Sequence, residues 1–592
     1  MKHFFSWMRG WPAALLTLLW LAPPAAHAQA PAWTQLSSGV PVTSNGFSYV
    51  QASAADAAGN VYVSGYFFGT VRFGTTQLTS DATTSPSASD GFVAKWSSAT
   101  GTFVWAVALG GSGADQAPAL AVSNGSVYVG GHFYSPTAAF GPLSLTNTTS
   151  ATSSSDAFVA KLTDAGTTAN FMWVRQVGGT DTDMATSLAV SGSNVYLAGL
   201  YSSPTLAIGG TVLTNANAFA SDTFVAKFTD AGATTGVAWA LSFGSTGSDE
   251  ARALAVSGSS IYVLGDFTSS FLSLGTTALT NAAGSAGTPD VFLAKLADAG
   301  TSVGVVWAQR AGGTGVDTGD ALALNGASLY VAGSFGSATA SVGTLLLTNA
   351  SSTANTADVF VAKLTDAGAG ATAVWAQSAG GIGTERPKGV AVRGTNVYVA
   401  GGYGYPNATF GATVLPNRGT ATALDIFVAK LADSGSSAAF AWAQSAGGVN
   451  GESAYCVALT GNLVVTAGGA AAQATFGTLA VPPSATTTSA FVAAILDPTL
   501  TATAAAQGTL SFSLYPNPAR NATTVQLPAQ PGATTATLTL RDALGRTLRT
   551  ETMNLPATGL RHEFDLANIP AGLYAVQVQA GAATATRQLV VE

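Results

Sequence analysis

A single cysteine, Cys456, in 592 residues leaves no partner for an intrachain disulfide, so the fold must hold by burial and hydrogen bonding. Four histidines and that one thiol form no nucleophile triad and no cluster with metal-ligand spacing. Charged residues make up 9% of the chain, against about 25% in an ordinary globular domain. Residues 29–507 carry 14 Lys and Arg against 24 Asp and Glu, a balance that argues against a nucleic-acid partner. No apolar run reaches the roughly 20 residues of a membrane-spanning helix. The main one, Trp11 to Leu21, follows Lys2 and Arg9 and precedes Ala26, His27 and Ala28. That order predicts a secretory signal peptide over residues 1–28, with no cysteine near the cut to take a lipid and no transmembrane segment in the mature chain.

What is abundant is hydrophobic residues, at 47%, with glycine at 68 positions. Together with plentiful Thr, Ser and Val they predict extended strands and tight turns, hence an all-β chain. A unit of about 68 residues recurs seven times, opening at Trp33, Trp105, Trp173, Trp239, Trp307, Trp375 and Trp442. It ends in Phe-Val-Ala-Lys or a variant at Lys95, Lys161, Lys227, Lys295, Lys363 and Lys430, with Ala494 in the last lysine place. Within the second copy, Trp105 to Leu109, Ala119 to Val122, Val127 to Val129 and Phe158 to Leu162 read as four strands, with a hairpin turn at Asn124 and Gly125. About twenty residues per copy exceed an ordinary propeller blade and read as an added hairpin or long loop. The copies begin on an outer strand and end on a third strand. That phase predicts a seven-bladed β-propeller over 29–496, closed by strand exchange between its ends.

The units resemble the bacterial seven-bladed β-propeller repeat family, which combines a Gly-Gly-x-Gly-x-Asp turn, a Val-Tyr-Val-x-Gly strand and Asp-x-Phe-Val-Ala-Lys. The resemblance covers residues 32 to 496 and implies architecture, not activity. After a linker at 497–507 the composition changes, and alternating apolar residues over 508–592 predict a small Ig-like β-sandwich. Tyr515, Pro516, Asn517, Pro518, Gly545, Gly572 and Tyr574 lie in motifs that resemble the type A C-terminal sorting domain of type IX secretion substrates. The resemblance implies delivery by the type IX secretion machinery of a Bacteroidetes-type bacterium, with the protein released or anchored at the outer cell surface.

One acidic series, Asp115, Asp183, Asp249, Asp317, Glu385 and Glu452, stands near the start of each inner strand. These residues are expected either to bond the amides of their own turns or to ring the channel mouth as Ca2+ ligands. A second series, Asp90, Asp156, Asp222, Asp290, Asp358 and Asp425, is expected to be scaffold, as are the repeated lysines. Binding specificity belongs where copies differ. His132, Tyr134, Tyr201, Tyr403 and Tyr405 are candidate sugar-stacking or polar contacts, and Arg386 and Lys388 candidate partners for an anionic substituent. No catalytic residue and no other cofactor is identifiable. The preferred expectation is a monomeric binding or adhesion module that recognises polysaccharide. The alternatives are an extracellular polysaccharide hydrolase or lyase using channel carboxylates, and a purely structural surface protein.

Overall fold

The computed structural model describes residues 30–500 and 512–592, apart from 82–87, 150–152, 218, 285–286, 352–355, 421, 483–486, 529–534, 543–545, 557–558, 568 and 581–582. The expected signal peptide, most of the expected linker and Gly545 lie outside the described residues. Among those described, all regular structure is β-strand, and no helix is long and apolar enough to cross a membrane.

In the second unit, Asp115–Ser123, Ser126–Phe133, Asp156–Asp164 and Ala169–Val177 form an antiparallel sheet in chain order. Asn124 and Gly125 make its tightest turn at φ 50° and 73°, the positive values that a two-residue hairpin loop demands. The extra residues form a short hairpin, Thr137–Phe140 with Leu143–Thr146. This hairpin bonds to the end of the preceding sheet's last strand, through Gly110 and Ala139. The same addition recurs at Gly178 with Ala207, Gly244 with Ser273, Ala311 with Val342, Gly380 with Thr409, Gly447 with Thr475 and Gly39 with Phe73. Each hairpin therefore stitches its unit to the one before.

The seventh sheet takes Ser453–Thr460, Leu463–Ala471 and Thr488–Leu496 from the end of the series, and its fourth strand, Trp33–Pro41, from the beginning. Its register corrects the sequence alignment. Lys430 faces Trp442 and Leu431 faces Phe440, whereas Ala494 faces Gln35 and Ile495 faces Trp33. Gln35, not Trp33, stands in the tryptophan place; Trp33 fills an apolar site edge-on to Phe476, with Nε1 donating to Ser445 O.

First strands of successive sheets lie against one another, and Ser453–Thr460 lies against Phe47–Ala55. The core sits between neighbouring sheets: Tyr62, Val93 and Trp105 of one pack with Leu120, Val129 and Phe158 of the next. A buried polar cluster crosses the same boundary. Lys95 Nζ donates to Asp164 Oδ2 at 2.6 Å, Tyr62 OH to the same oxygen at 2.7 Å, and Trp105 Nε1 to Oδ1 at 3.0 Å. Five further aspartates, Asp230, Asp298, Asp366, Asp433 and Asp497, receive the lysine and tyrosine of the preceding unit in the same way. Between the seventh unit and the first, the equivalent places hold Val465, Ala494, Gln35 and Ser98, no ion pair forms among them, and Gln35 Nε2 donates to Ser98 O at 2.9 Å.

Residues 513–591 form one three-stranded and one four-stranded sheet around a shared core that includes Val525, Leu538, Phe564, Val576 and Leu589. Asn517 Nδ2 donates to Gln588 O, and Val590 N–H donates to Asn517 Oδ1, which fastens the Tyr515 to Pro518 segment to the last strand. Tyr574 OH donates to Pro570 O at 2.7 Å, and Tyr515, half-exposed, lies under the Arg561 guanidinium.

Candidate functional site at the start of the first strands

Every first strand carries a bulge near its beginning, and a glycine on the second strand accommodates it. A Cβ on Gly65, Gly131, Gly199, Gly265, Gly333, Gly401 or Gly468 would come within 1.9–2.1 Å of a carbonyl oxygen on the facing strand. Those carbonyls belong to Tyr49, Gln116, Met184, Glu250, Thr318, Arg386 and Ser453. The scaffold thus holds one residue per unit at a fixed place, and that residue differs in all seven. Opposite them on the second strands stand Tyr66, His132, Leu200, Asp266, Ser334, Gly402 and Gly469. At the bulge itself are Gln51, Thr186, Arg252, Asp320, Lys388 and Tyr455, with Pro118 in the second unit.

The row has two chemically distinct parts. In units seven and one, Tyr49 and Tyr66 stack at 5.2 Å with 19° between their planes, and Phe47 meets both edge-on. Tyr455 is their electrostatic neighbour, and burial, then the two other hydroxyls, pushes the Tyr66 phenol up to about 12. In units four to six, Arg252 pairs with Asp266 and Glu250, and Lys388 Nζ donates to Asp320 Oδ1 at 2.5 Å. Burial raises Asp266 to about 6 despite Arg252. Between units one and two, Gln51 Nε2 donates to Gln116 Oε1 at 2.9 Å; opposite Gln116 stands His132, whose imidazole is buried, without a partner for Nδ1 among the described residues, and pushed down to about 4 by burial.

The sequence candidates separate on this frame. His132, Arg386 and Lys388 fall in the row, and Tyr134 packs edge-on to His132. Tyr405 is exposed at the neighbouring turn. Tyr201 and Tyr403 are corrected: both are wholly buried, so they are packing residues with no face to offer a ligand. Asp266, whose place the sequence relates to that of His132, falls in the row opposite Glu250, whereas Tyr49, Tyr66, Tyr455, Glu250, Arg252 and Asp320 carry no such signal in a single copy. Stacking the copies by the glycine of each second strand would have put them in the columns where residue type changes most.

The acidic series lies deeper than the channel mouth expected for it. Asp115, Asp183, Asp249, Asp317 and Glu385 have no exposed surface, and Glu452 has 2%. Asp115 accepts from the Gly111, Tyr134 and Ser135 amides and from Ser135 Oγ. Ser203, Ser269 and Ser337 serve Asp183, Asp249 and Asp317 alike. Asp115, Asp317, Glu385 and Glu452 each share a glycine with the preceding unit's Asp90-series residue. A Cβ on Gly380 would lie 2.1 Å from Asp358 Oδ1 and 2.8 Å from Glu385 Oε2. The Oδ1 atoms of Asp90, Asp156, Asp222, Asp290, Asp358 and Asp425 have no hydrogen-bond donor among the described residues. Two carboxyl groups ringed by amide donors fit a shared proton better than a Ca2+ ion, which takes six to eight oxygen ligands. Among the described residues no group of three or more His, Cys, Asp or Glu could hold a metal ion. At the boundary between units seven and one the pair is replaced by Ser489 and Ser48, with Ser48 Oγ accepting from Ala490 N–H.

Residues 513–592 match the secretion system C-terminal sorting domain family. No curated protein matches the chain. The tail is therefore a sorting domain of the type IX route, and the chain is a secreted protein addressed to the cell surface or beyond.

Proposed function

We propose that this is a secreted or surface-anchored binding module that holds a polysaccharide or another surface polymer over the variable row. In this reading the seven sheets over 29–496 are blades of a seven-bladed β-propeller closed by the Trp33–Pro41 strand. Residues 1–28 are a cleaved signal peptide, 497–507 a linker, and 508–592 an Ig-like sorting domain that engages the secretion machinery. Contacts that pass from each first strand to the next, with the seventh against the first, support the ring. The polymer reading is carried by one observation: the row changes chemistry in every unit, while an acid or serine before it and an uncharged, apolar residue or glycine after it recur. Stacked tyrosines beside charged groups suit sugar rings, which lay C–H faces on aromatic surfaces and bond through hydroxyls.

A hydrolase or lyase is the second reading. It would draw on Glu250, Asp266 and Asp320, and Arg252 or Lys388 holds each of these carboxylates, which favours binding without cleavage. A glycan array followed by product analysis on the bound polymer separates the readings. Retention with unchanged chain length is expected; shortened products support the enzyme, and retention of nothing leaves a structural surface protein. Deletion of 508–592 is expected to leave the protein in the periplasm, read by fractionation, and unchanged surface display would reject the sorting role.

A further inference from the structure

We propose that the polymer held by this row is acidic, with its carboxylate or sulfate on Arg386 and an adjacent sugar ring on the Tyr49, Tyr66 and Tyr455 cluster. The inference rests on the binding-module reading and goes further, because it names the charge of the ligand and the unit that reads it.

The lysines and arginines of this acidic chain are mostly committed elsewhere. Lys95, Lys161, Lys227, Lys295, Lys363 and Lys430 are buried in the clusters between units. Arg252, Arg310 and Lys388 hold acids, and Arg175 and Arg393 donate to backbone carbonyls. Arg72, Arg386 and Arg418 are exposed, with no side-chain hydrogen-bond or ion-pair partner among the described residues, and of the three Arg386 lies in the row. An arginine left free at a fixed place on a rigid strand costs little reorganisation when it binds. Its planar guanidinium matches the two oxygens of a carboxylate or sulfate.

The row is also polarised. Its acids, Glu250, Asp266 and Asp320, come from units four and five, whereas Arg386 and Lys388 come from unit six. An anion is therefore directed to the unit-six end. There the second-strand place is Gly402, and in unit seven it is Gly469, where five other units carry side chains. The Tyr49 ring fills the space over Gly469, 2.3 Å from a Cβ built there. Over Gly402 such a Cβ meets Ser453 Oγ at 3.1 Å and Leu424 Cδ1 at 3.2 Å, so the row next to Arg386 is floored by glycine and flanked by a hydroxyl and an apolar side chain. A sugar with a charged substituent has the same three parts: an acidic group, hydroxyls and an apolar ring face.

The test uses the mature full-length protein with four polymers: polygalacturonate, its methyl ester, dextran sulfate and dextran. Affinity electrophoresis and titration calorimetry are read at two salt concentrations. Acidic polymers are expected to bind about tenfold or more tightly than their neutral counterparts, with the advantage shrinking as salt rises. R386Q is expected to remove that advantage at an unchanged melting temperature, R386K to restore part of it, and Y66A to weaken acidic and neutral polymers together. The two acidic polymers distinguish carboxylate from sulfate. Equal binding of polygalacturonate and its ester, with dextran sulfate no better than dextran, overturns the acidic ligand but leaves the binding module. An R386Q protein that keeps the preference overturns the arginine assignment, and binding of no polymer overturns both readings.

Discussion

Asp298→Ala lowers the unfolding free energy by about 3–5 kcal/mol, the scale expected when one member of a buried ion pair is removed. Lys227 and Asp298 each keep 5% of their side-chain surface exposed, and their contact is 2.6 Å. The substitution leaves the ammonium facing Gly300 O, and the Tyr196 hydroxyl and Trp239 indole lose their acceptor. Joint replacement behaves differently. Tyr196→Val, Lys227→Ala, Trp239→Gln and Asp298→Ser together reproduce the set found between units seven and one, and should cost less than the single change by at least about 2 kcal/mol. Chemical denaturation of the two proteins decides the point. A joint variant no more stable than Asp298→Ala would mean that the Val465, Ala494, Gln35 and Ser98 boundary depends on something other than neutrality.

Melting temperature is expected to peak near pH 4 and to fall on both sides, for opposite reasons. Burial, followed by the neighbouring carboxylate or opposed by local hydrogen bonds, pushes Asp90, Asp183, Asp249 and Glu452 up to about 7, Glu385 to about 8 and Asp358 to about 6. A carboxyl whose folded pKa is raised is fully favourable below its unfolded value of about 4, and that stability is lost as pH rises through the folded value. The alkaline fall therefore develops between about pH 4 and pH 8. The clusters between units act in the other direction. Burial would raise Asp298, Asp366 and Asp497, but their lysine, tyrosine and amide donors hold them down to about 2. Their contribution is present above about pH 4 and is lost as pH falls through about 2. Asp358→Asn removes one of the two facing acids, so its melting temperature at pH 8.5 should exceed that of the parent. The difference should vanish at or below about pH 4, as read by calorimetry across the range. A parent protein of equal stability at pH 5.5 and 8.5 would show that the paired carboxyls do not titrate as described.

The acidic pairs also show how far a residue pattern carries. Four units combine Asp with Ser135, Ser203, Ser269 or Ser337. The last two combine the longer Glu385 or Glu452 with no serine at that place, Tyr405 occupying it in unit six. Both changes are visible in the sequence, but their dependence on each other is not, because the two positions lie about twenty residues apart and meet only across a turn. Likewise, the Lys95 series reads as scaffold from its repetition, yet its partner, the Asp164 series, lies about 70 residues further on in the next unit. Trp33 was misaligned because spacing along the chain does not reveal that its strand pairs with the end of the series, in a register offset by a bulge.

The number of units, their strand content and the identity of the sorting tail follow from the sequence alone, because each rests on local patterns: turn glycines, alternation of apolar residues and short motifs. Tertiary structure decided what those patterns face. It buried the acids expected at a channel mouth and took Tyr201 and Tyr403 into the core. It also brought Tyr49, Tyr66 and Tyr455, from opposite ends of the series, together in the row that Arg386 shares. The cause is the pairing of the first strand with the seventh sheet, a contact made across more than 450 residues that no window of sequence can contain.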